Sequence, residues 1–204
     1  MDNCENNKWV CAMDLETTGF PERYEDENGY KKYYKSSMYD KYDKSRVVQM
    51  TFIFYNKETK EEHILDHIIK PDGYKIYNSH IHGISEKRAE LEGVHLKYAI
   101  KKLDEYIKKY NPNLIIGHNI YFDIFVLQAE LYRMGGQSHL KNFIFETEKY
   151  DTMKNGKNLN NNKCPKLDVL YQILFNEERE EEQKHNSLYD TQHTLKCYLK
   201  LNEL

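Results

Sequence analysis

The chain has 204 residues, which is enough for one compact domain with a sizeable core. Charged residues make up 31% of it and the mean hydropathy is -0.89; since no apolar run approaches the roughly 20 residues of a membrane helix, we expect no membrane span. The net charge of -3 argues against a protein that coats nucleic acid through a broad basic surface, but it is compatible with an enzyme that grips a few terminal nucleotides.

The cysteines and the N-terminus indicate a reducing compartment. Cys4, Cys11, Cys164 and Cys197 are scattered without a CxxC pair, a pattern typical of neither a disulfide framework nor a zinc site. The first seven residues are polar and acidic and lack the apolar segment of a signal peptide. We therefore expect an intracellular protein, cytoplasmic or nuclear, that is not secreted.

The first predicted element is a buried strand that begins at Trp9. It is a nearly unbroken apolar run, typical of a strand covered on both faces, and it ends with Asp14 and Glu16. Because side chains alternate along a strand, these two carboxylates point to the same side. They repel each other unless a proton or a cation joins them, and a hard divalent cation with oxygen ligands would do so.

Residues 21–45 follow as a long connection outside the sheet, without strand or helix periodicity. Six tyrosines lie among lysines and acids in this segment: Tyr24, Tyr30, Tyr33, Tyr34, Tyr39 and Tyr42. Such aromatics could stack on nucleic-acid bases while the lysines neutralise phosphates. Alternatively, the tyrosines pack on their own domain. We favour the second interpretation slightly, although loops this long are often functional.

The rest of the chain predicts alternating strands and helices. Residues 46–55 and 62–70 are expected to be strands of an antiparallel hairpin because their connection is short. Strand 114–117 and helix 120–134 indicate a parallel crossover. The other predictions are a short helix capped by Ser85, a helix over 96–110, one or two extended pieces within 142–152, a mobile loop at 154–163, a short amphipathic helix around 167–174, a solvated acidic run at 177–182 and a last helix opened by His185.

Three short pieces, far apart in sequence, each place an acid at a strand end or early in a helix. They are residues 14–16 (DLE), 119–123 (NIYFD) and 185–190 (HNSLYD). The carboxyl ends of neighbouring strands in an open α/β sheet form the usual ligand crevice. Each piece alone is weak, since an acid near a helix N-terminus is often only a favourable dipole contact. All three in this order form a stronger signal.

These pieces resemble the motifs of the DnaQ-like 3'-5' exonucleases with four acids and a histidine (the DEDDh group), the family of the proofreading epsilon subunit of bacterial DNA polymerase III. Residues 14–19 (DLETTG), 117–123 (GHNIYFD) and 185–190 resemble its first, second and third motifs. Residues 81–85 (IHGIS) resemble its HGIT-like segment, and residues 150–152 with 166–168 resemble its D-T and K-L stretches. The resemblance runs from about Trp9 to Tyr198.

The resemblance implies an α/β, RNase H-like fold: a mixed five-stranded sheet with helices on both faces. It implies one exonuclease domain over 1–204, with a Tyr/Lys-rich insertion at about 21–45. Asp14, Glu16, Asp123 and Asp190 would hold two divalent ions, Mg²⁺ or Mn²⁺, which activate the attacking water and steady the leaving oxygen. His185 would be the general base, since histidine ordinarily titrates near pH ~6.5. The expected product is a nucleoside 5'-monophosphate.

The resemblance also offers candidates for contact with the terminal nucleotide: Thr17, Thr18, His82 and Asn119. Each has a local alternative, because the threonines can shape the turn before Gly19, the histidine can bond within its loop and the asparagine can cap a helix. Two further acids at family positions, Asp151 and Asp168, are interpreted as supports of the fold. The remaining pairs, His63 with His67 and His80 with His82, are interpreted as ordinary residues rather than metal ligands.

Several functions stay open from the sequence. Single-stranded DNA is the favoured substrate; RNA 3' ends are the alternative, because selection depends on contacts to the 2'-hydroxyl. A non-catalytic nucleic-acid-binding module and an interaction protein that uses the Tyr-rich segment are the other classes. The chain ends with its last helix, so a stand-alone exonuclease, or one that meets a polymerase or other partner through its own surface, is expected. The oligomeric state is undetermined.

Overall fold

A computed structural model describes residues 8–135, 138–183 and 185–203. Its main sheet has five strands in the order β5-β4-β1-β6-β7. The strand β1 pairs antiparallel with β4 and parallel with β6, so the sheet is mixed, as predicted. The strands are β1 (Trp9–Thr17), β2 (Arg23–Glu25), β3 (Lys31–Tyr33), β4 (Val47–Asn56), β5 (Glu62–Ile68), β6 (Leu114–Gly117) and β7 (Glu148–Asp151).

Helices cover both faces of this sheet. They are α1 (Ser79–His82), α2 (Glu86–Glu92), α3 (Leu96–Tyr110), α4 (Tyr121–Arg133), α5 (Ser138–Glu146), α6 (Thr152–Asn155), α7 (Leu167–Phe175) and α8 (Ser187–Leu201). The predicted helix over 96–110 is confirmed, and Ser85 caps α2 as expected, its Oγ accepting a hydrogen bond from Arg88 N at 3.1 Å. Within the described residues, no helix combines the length and the apolar character needed to cross a membrane.

The alternation of side chains on β1 divides the core in two. Met13 and Leu15 belong to the larger cluster, which α3 and α4 cover. Val10 and Ala12 belong to a second cluster, which includes Leu195 of α8. Since Asp14 and Glu16 continue the side of Val10 and Ala12, they lie on the α8 side of the sheet. The core pattern therefore decides which helix meets the acids.

Two predictions about the C-terminal half are wrong in part. The expected extended piece at 142–152 is instead helical up to Glu146, because Leu140 and Ile144, four residues apart, are both buried on one helix face. The expected loop at 154–163 begins inside α6 and contains a 3-10 turn, Lys157–Leu159. Helix α6 forms because the Asp151 side chain caps it, accepting a hydrogen bond from Met153 N at 3.1 Å.

The segment 21–45 leaves the main sheet and builds a small structure of its own. Strands β2 and β3 form a separate antiparallel pair, followed by a 3-10 helix, Tyr39–Tyr42. Tyr42 is fully buried and its hydroxyl donates to Tyr34 O at 2.6 Å, whereas Tyr30 is 66% exposed. Packing on the protein's own domain is therefore confirmed for Tyr42. The division into one domain with an insertion stays a prediction.

Candidate active site

The end of β1 brings the first two acids to the N-terminus of α8. A register shift between β1 and β4 occurs at Glu16/Thr17, directly after the acidic pair. The hydroxyl of Ser187, the first residue of α8, donates to Asp14 O at 2.7 Å. This bond ties the strand that carries Asp14 and Glu16 to the helix that carries Asp190.

The third acid reaches β1 through a tight reversal after β6. Gly117 has no room for a side chain, since a Cβ there would lie 2.8 Å from Ile120, and Asn119 adopts a left-handed φ of 59°. Asp123 then lies in the first turn of α4, 4% exposed, and its Oδ1 accepts a hydrogen bond from Leu15 N at 3.1 Å. The donor belongs to the residue between the two acids of β1, so Asp123 is held beside them.

The third motif closes the site from the start of α8. Asn186 caps this helix, its side chain accepting a hydrogen bond from Tyr189 N at 3.1 Å. His185 precedes the cap in a left-handed conformation (φ 61°) and is exposed to solvent. Potential ligand atoms of Glu16, His185 and Asp190 all lie within 4.8 Å of one another. The structure thus brings the predicted acids and histidine of three distant segments together.

The electrostatics of these acids reflect burial and mutual repulsion. Burial, with the charge of Asp190, raises the pKa of Asp14 to about 8. Burial and the neighbouring acids raise the pKa of Glu16 to about 10. The pKa of Asp123 is raised well above its usual range, chiefly by burial and by Asp14. The pKa of Asp190 is raised by burial, which Arg179 opposes.

A divalent cation fits this set of side chains. Carboxylate oxygens are the ligands that Mg²⁺ and Mn²⁺ prefer. A cation at this position would offset the burial and the mutual repulsion that raise these pKa values, since an opposite charge favours the ionised form of a carboxyl. The chemistry of the donors therefore agrees with the predicted metal dependence.

The candidate substrate residues have local partners. Thr17 Oγ1 donates to Gly19 O at 2.8 Å. Thr18 Oγ1 donates to Lys44 O at 3.1 Å and accepts from Arg46 N at 2.9 Å. Both threonines therefore shape the turn after β1, as the local alternative requires. Contact between these threonines and a nucleotide stays a prediction.

The other two candidates differ in exposure. His82 is 5% exposed; its Nδ1 accepts from Ile84 N at 3.2 Å, and its Nε2 lies 3.3 Å from Asn78 Oδ1. Asn119 is exposed, and its N–H donates to Asp151 Oδ1 at 2.9 Å. Because Ile120 occupies the N-cap position of α4, the alternative that Asn119 caps this helix is wrong.

Sequence reasoning missed Arg179. The acidic run 177–182 is predicted to be a solvated face or loop, and it does lie in the connection between α7 and α8. The side chain of Arg179 within it, however, is only 2% exposed and forms ion pairs with Asp168 and Asp190. Asp168 supports the fold through this pair, as interpreted. The available signal was a lone arginine inside an acidic run of a lysine-rich chain, since arginine rather than lysine is the usual residue for buried ion pairs.

The family model RNase_T, described as an exonuclease, matches residues 11–198. The chain belongs to this exonuclease family. The match confirms the predicted enzyme class, an exonuclease. No curated protein matches the chain with significance.

Solved structures of exonucleases share the fold of this family member. The Escherichia coli exonuclease I complex with single-stranded DNA, in its zinc-bound form, is 16% identical with a TM-score of 0.65, covering 97% of this chain and 40% of that one. The same enzyme with a dT13 oligonucleotide gives 16% identity and a TM-score of 0.68, covering 96% and 41%. A full-length 3'-exonuclease gives 12% and 0.65, covering 97% and 61%. The predicted RNase H-like fold is confirmed, and the chain spans about 40% of the length of exonuclease I.

Proposed function

We propose that this exonuclease removes nucleoside 5'-monophosphates one at a time from the 3' end of single-stranded DNA. Two Mg²⁺ or Mn²⁺ ions would be held by Asp14, Glu16, Asp123 and Asp190. The observation that carries the proposal is the meeting of four acids and a histidine from three distant segments beside β1. The single-stranded DNA bound to the exonuclease I structures supports this substrate class. RNA 3' ends are the second candidate substrate.

When bound, the ions would lower the pKa of the attacking water and stabilise the departing 3'-oxygen. The chain's own residues would position the metal ligands, accept a proton and contact the substrate. Leu15 N–H fixes the carboxylate of Asp123, and Ser187 holds β1 against α8. His185, exposed beside Glu16 and Asp190, would accept the proton of the water on a ring nitrogen and pass it to solvent. Thr17, Thr18, His82 and Asn119 would contact the terminal nucleotide.

The biological setting stays a prediction. This includes the similarity to the proofreading epsilon subunit, an intracellular location and a polymerase or other protein partner. The proposed chemistry does not depend on any of these, because it needs only a nucleic-acid 3' end and divalent ions.

The test uses matched single-stranded DNA and RNA labelled at the 3' or the 5' end, incubated with Mg²⁺, Mn²⁺ or EDTA. We expect stepwise, metal-dependent shortening from the 3' end, with faster cleavage of DNA. His185→Ala should lower kcat by about 100-fold or more because a general base contributes that much. His95→Ala, at an exposed histidine that precedes α3, is the matched control. Binding without shortening under any metal would favour the non-catalytic module instead.

A further inference from the structure

Arg179 lies outside the three motifs, in the connection between α7 and α8, yet it reaches one of the proposed metal ligands. Its Nη1 donates to Asp168 Oδ1 at 2.6 Å, and its Nη2 donates to Asp190 Oδ1. The guanidinium carbon lies 4.8 Å from the ring centroid of Tyr189. Since Glu180 N donates to the hydroxyl of Tyr189 at 2.8 Å, the segment is pinned over this ring.

The position of Arg179 leaves one of its buried donors without a partner in the described part of the chain, which an arginine with a purely structural role would be expected to avoid. The Nε of Arg179 is buried and has no hydrogen-bond partner among the residues that the structure describes. A buried polar group without a partner destabilises the folded state. The guanidinium is therefore placed to serve the two carboxylates rather than to satisfy all of its own donors.

The bond to Asp190 restricts how this carboxylate can rotate. Arg179 engages Oδ1, so Oδ2 is the oxygen that the arginine does not hold. Hydrogen bonds of this kind orient metal-binding side chains, and their loss typically costs about 10- to 100-fold in metal affinity. Asp168, whose side chain is 38% exposed, anchors the other end of the guanidinium.

We propose that Arg179 is a positioning residue that holds Asp190 in its metal-binding orientation, with Asp168 holding Arg179 in turn. The inference rests on the proposed function, because it requires Asp190 to be a metal ligand. Removing the guanidinium should therefore weaken metal binding. If the guanidinium instead competed with the metal for Asp190, removing it would tighten metal binding.

The experiment measures Mn²⁺ binding to the full chain by isothermal titration calorimetry, independently of catalysis. Arg179→Met should raise the Kd for Mn²⁺ by about 10- to 100-fold, and Arg179→Lys should restore part of the loss. Asp168→Asn should raise the Kd by less. Because Asp168 acts through the arginine, the double variant should bind no more weakly than Arg179→Met alone.

Arg133→Met is the matched control, since Arg133 also bridges two acids, Glu130 and Asp43, neither of which is a proposed metal ligand. Thermal unfolding in EDTA establishes that each variant is folded; if Arg179→Met does not fold, Asp168→Asn carries the same prediction. An unchanged or lower Kd in the folded variants, with wild type binding Mn²⁺, overturns this inference alone. A wild type that binds no Mn²⁺ overturns the proposed function together with it.

Discussion

His118, directly before Asn119 in the second motif, is held in its neutral form by its surroundings. Its Nδ1 lies 3.0 Å from Thr152 Oγ1 and its Nε2 lies 3.1 Å from Pro165 O. Burial lowers the pKa of His118 from 6.5 to about 4. At pH values between about 4 and 6.5, His118 carries a proton in the unfolded chain but not in the folded protein. The stability that this group contributes is therefore full above pH 6.5 and is lost as the pH falls towards about 4.

The substitution His118→Gln should remove this pH dependence. Wild type should lose about 2–3 kcal/mol more of its free energy of unfolding than the variant between pH 7 and pH 4, since each pKa unit corresponds to about 1.4 kcal/mol. Urea unfolding at both pH values measures the difference. His95→Gln, at an exposed histidine, should follow wild type. Parallel pH dependence in wild type and His118→Gln would contradict the assignment of a buried neutral imidazole.

At the scale of elements, the cap of α8 links stability to the site. Asn186 stands between His185 and the helix that carries Asp190, so losing its bond to Tyr189 N frays the turn that positions both. Asn186→Ala should cost about 1 kcal/mol of stability and also lower kcat, whereas Asn186→Ser should restore most of each. Urea unfolding and single-turnover kinetics measure the two effects. An alanine variant as stable as wild type would show that the cap is unimportant.

Two tyrosines of segment 21–45, one buried and one exposed, should differ in their effect on stability. Tyr42→Ala should cost about 3–5 kcal/mol, because it empties a fully buried site and removes the hydrogen bond to Tyr34 O. Tyr30→Ala, at a tyrosine that is 66% exposed, should change stability by no more than about 0.5 kcal/mol. Denaturant unfolding measures both. A higher KM for single-stranded DNA in Tyr30→Ala would favour the base-stacking interpretation of this segment.

Across the molecule, the features that could be predicted from the sequence are those that a local pattern of residues determines. The apolar run of β1 and the period of α3 identify those elements, and the acids follow from their places at strand ends and helix starts. The hairpin β2–β3 escapes prediction because three-residue strands show no periodicity. The contact from Arg179 to Asp190 joins residues 11 positions apart and exists only once the connection between α7 and α8 has folded over Tyr189. Such contacts depend on tertiary packing, which a one-dimensional pattern does not contain.

The overall charge predicts how many phosphates of the substrate the protein neutralises. The chain has 30 basic and 33 acidic residues and a net charge of -3, so binding should rest on a few contacts near the 3' end. For single strands, the slope of log affinity against log salt is about -0.7 for each neutralised phosphate. Two or three contacts would give a slope of about -2 or shallower.

The measurement is the KM for a labelled single-stranded oligonucleotide across about 50–200 mM KCl. The divalent-ion concentration is kept constant, so that only the monovalent salt changes. We expect kcat to stay level while KM rises gently. With 1/KM taken as the affinity, a slope of log affinity against log salt of about -5 or steeper would mean that many phosphates are neutralised. Lysines scattered over the surface would then have to converge on the bound strand, contrary to what the net charge predicts.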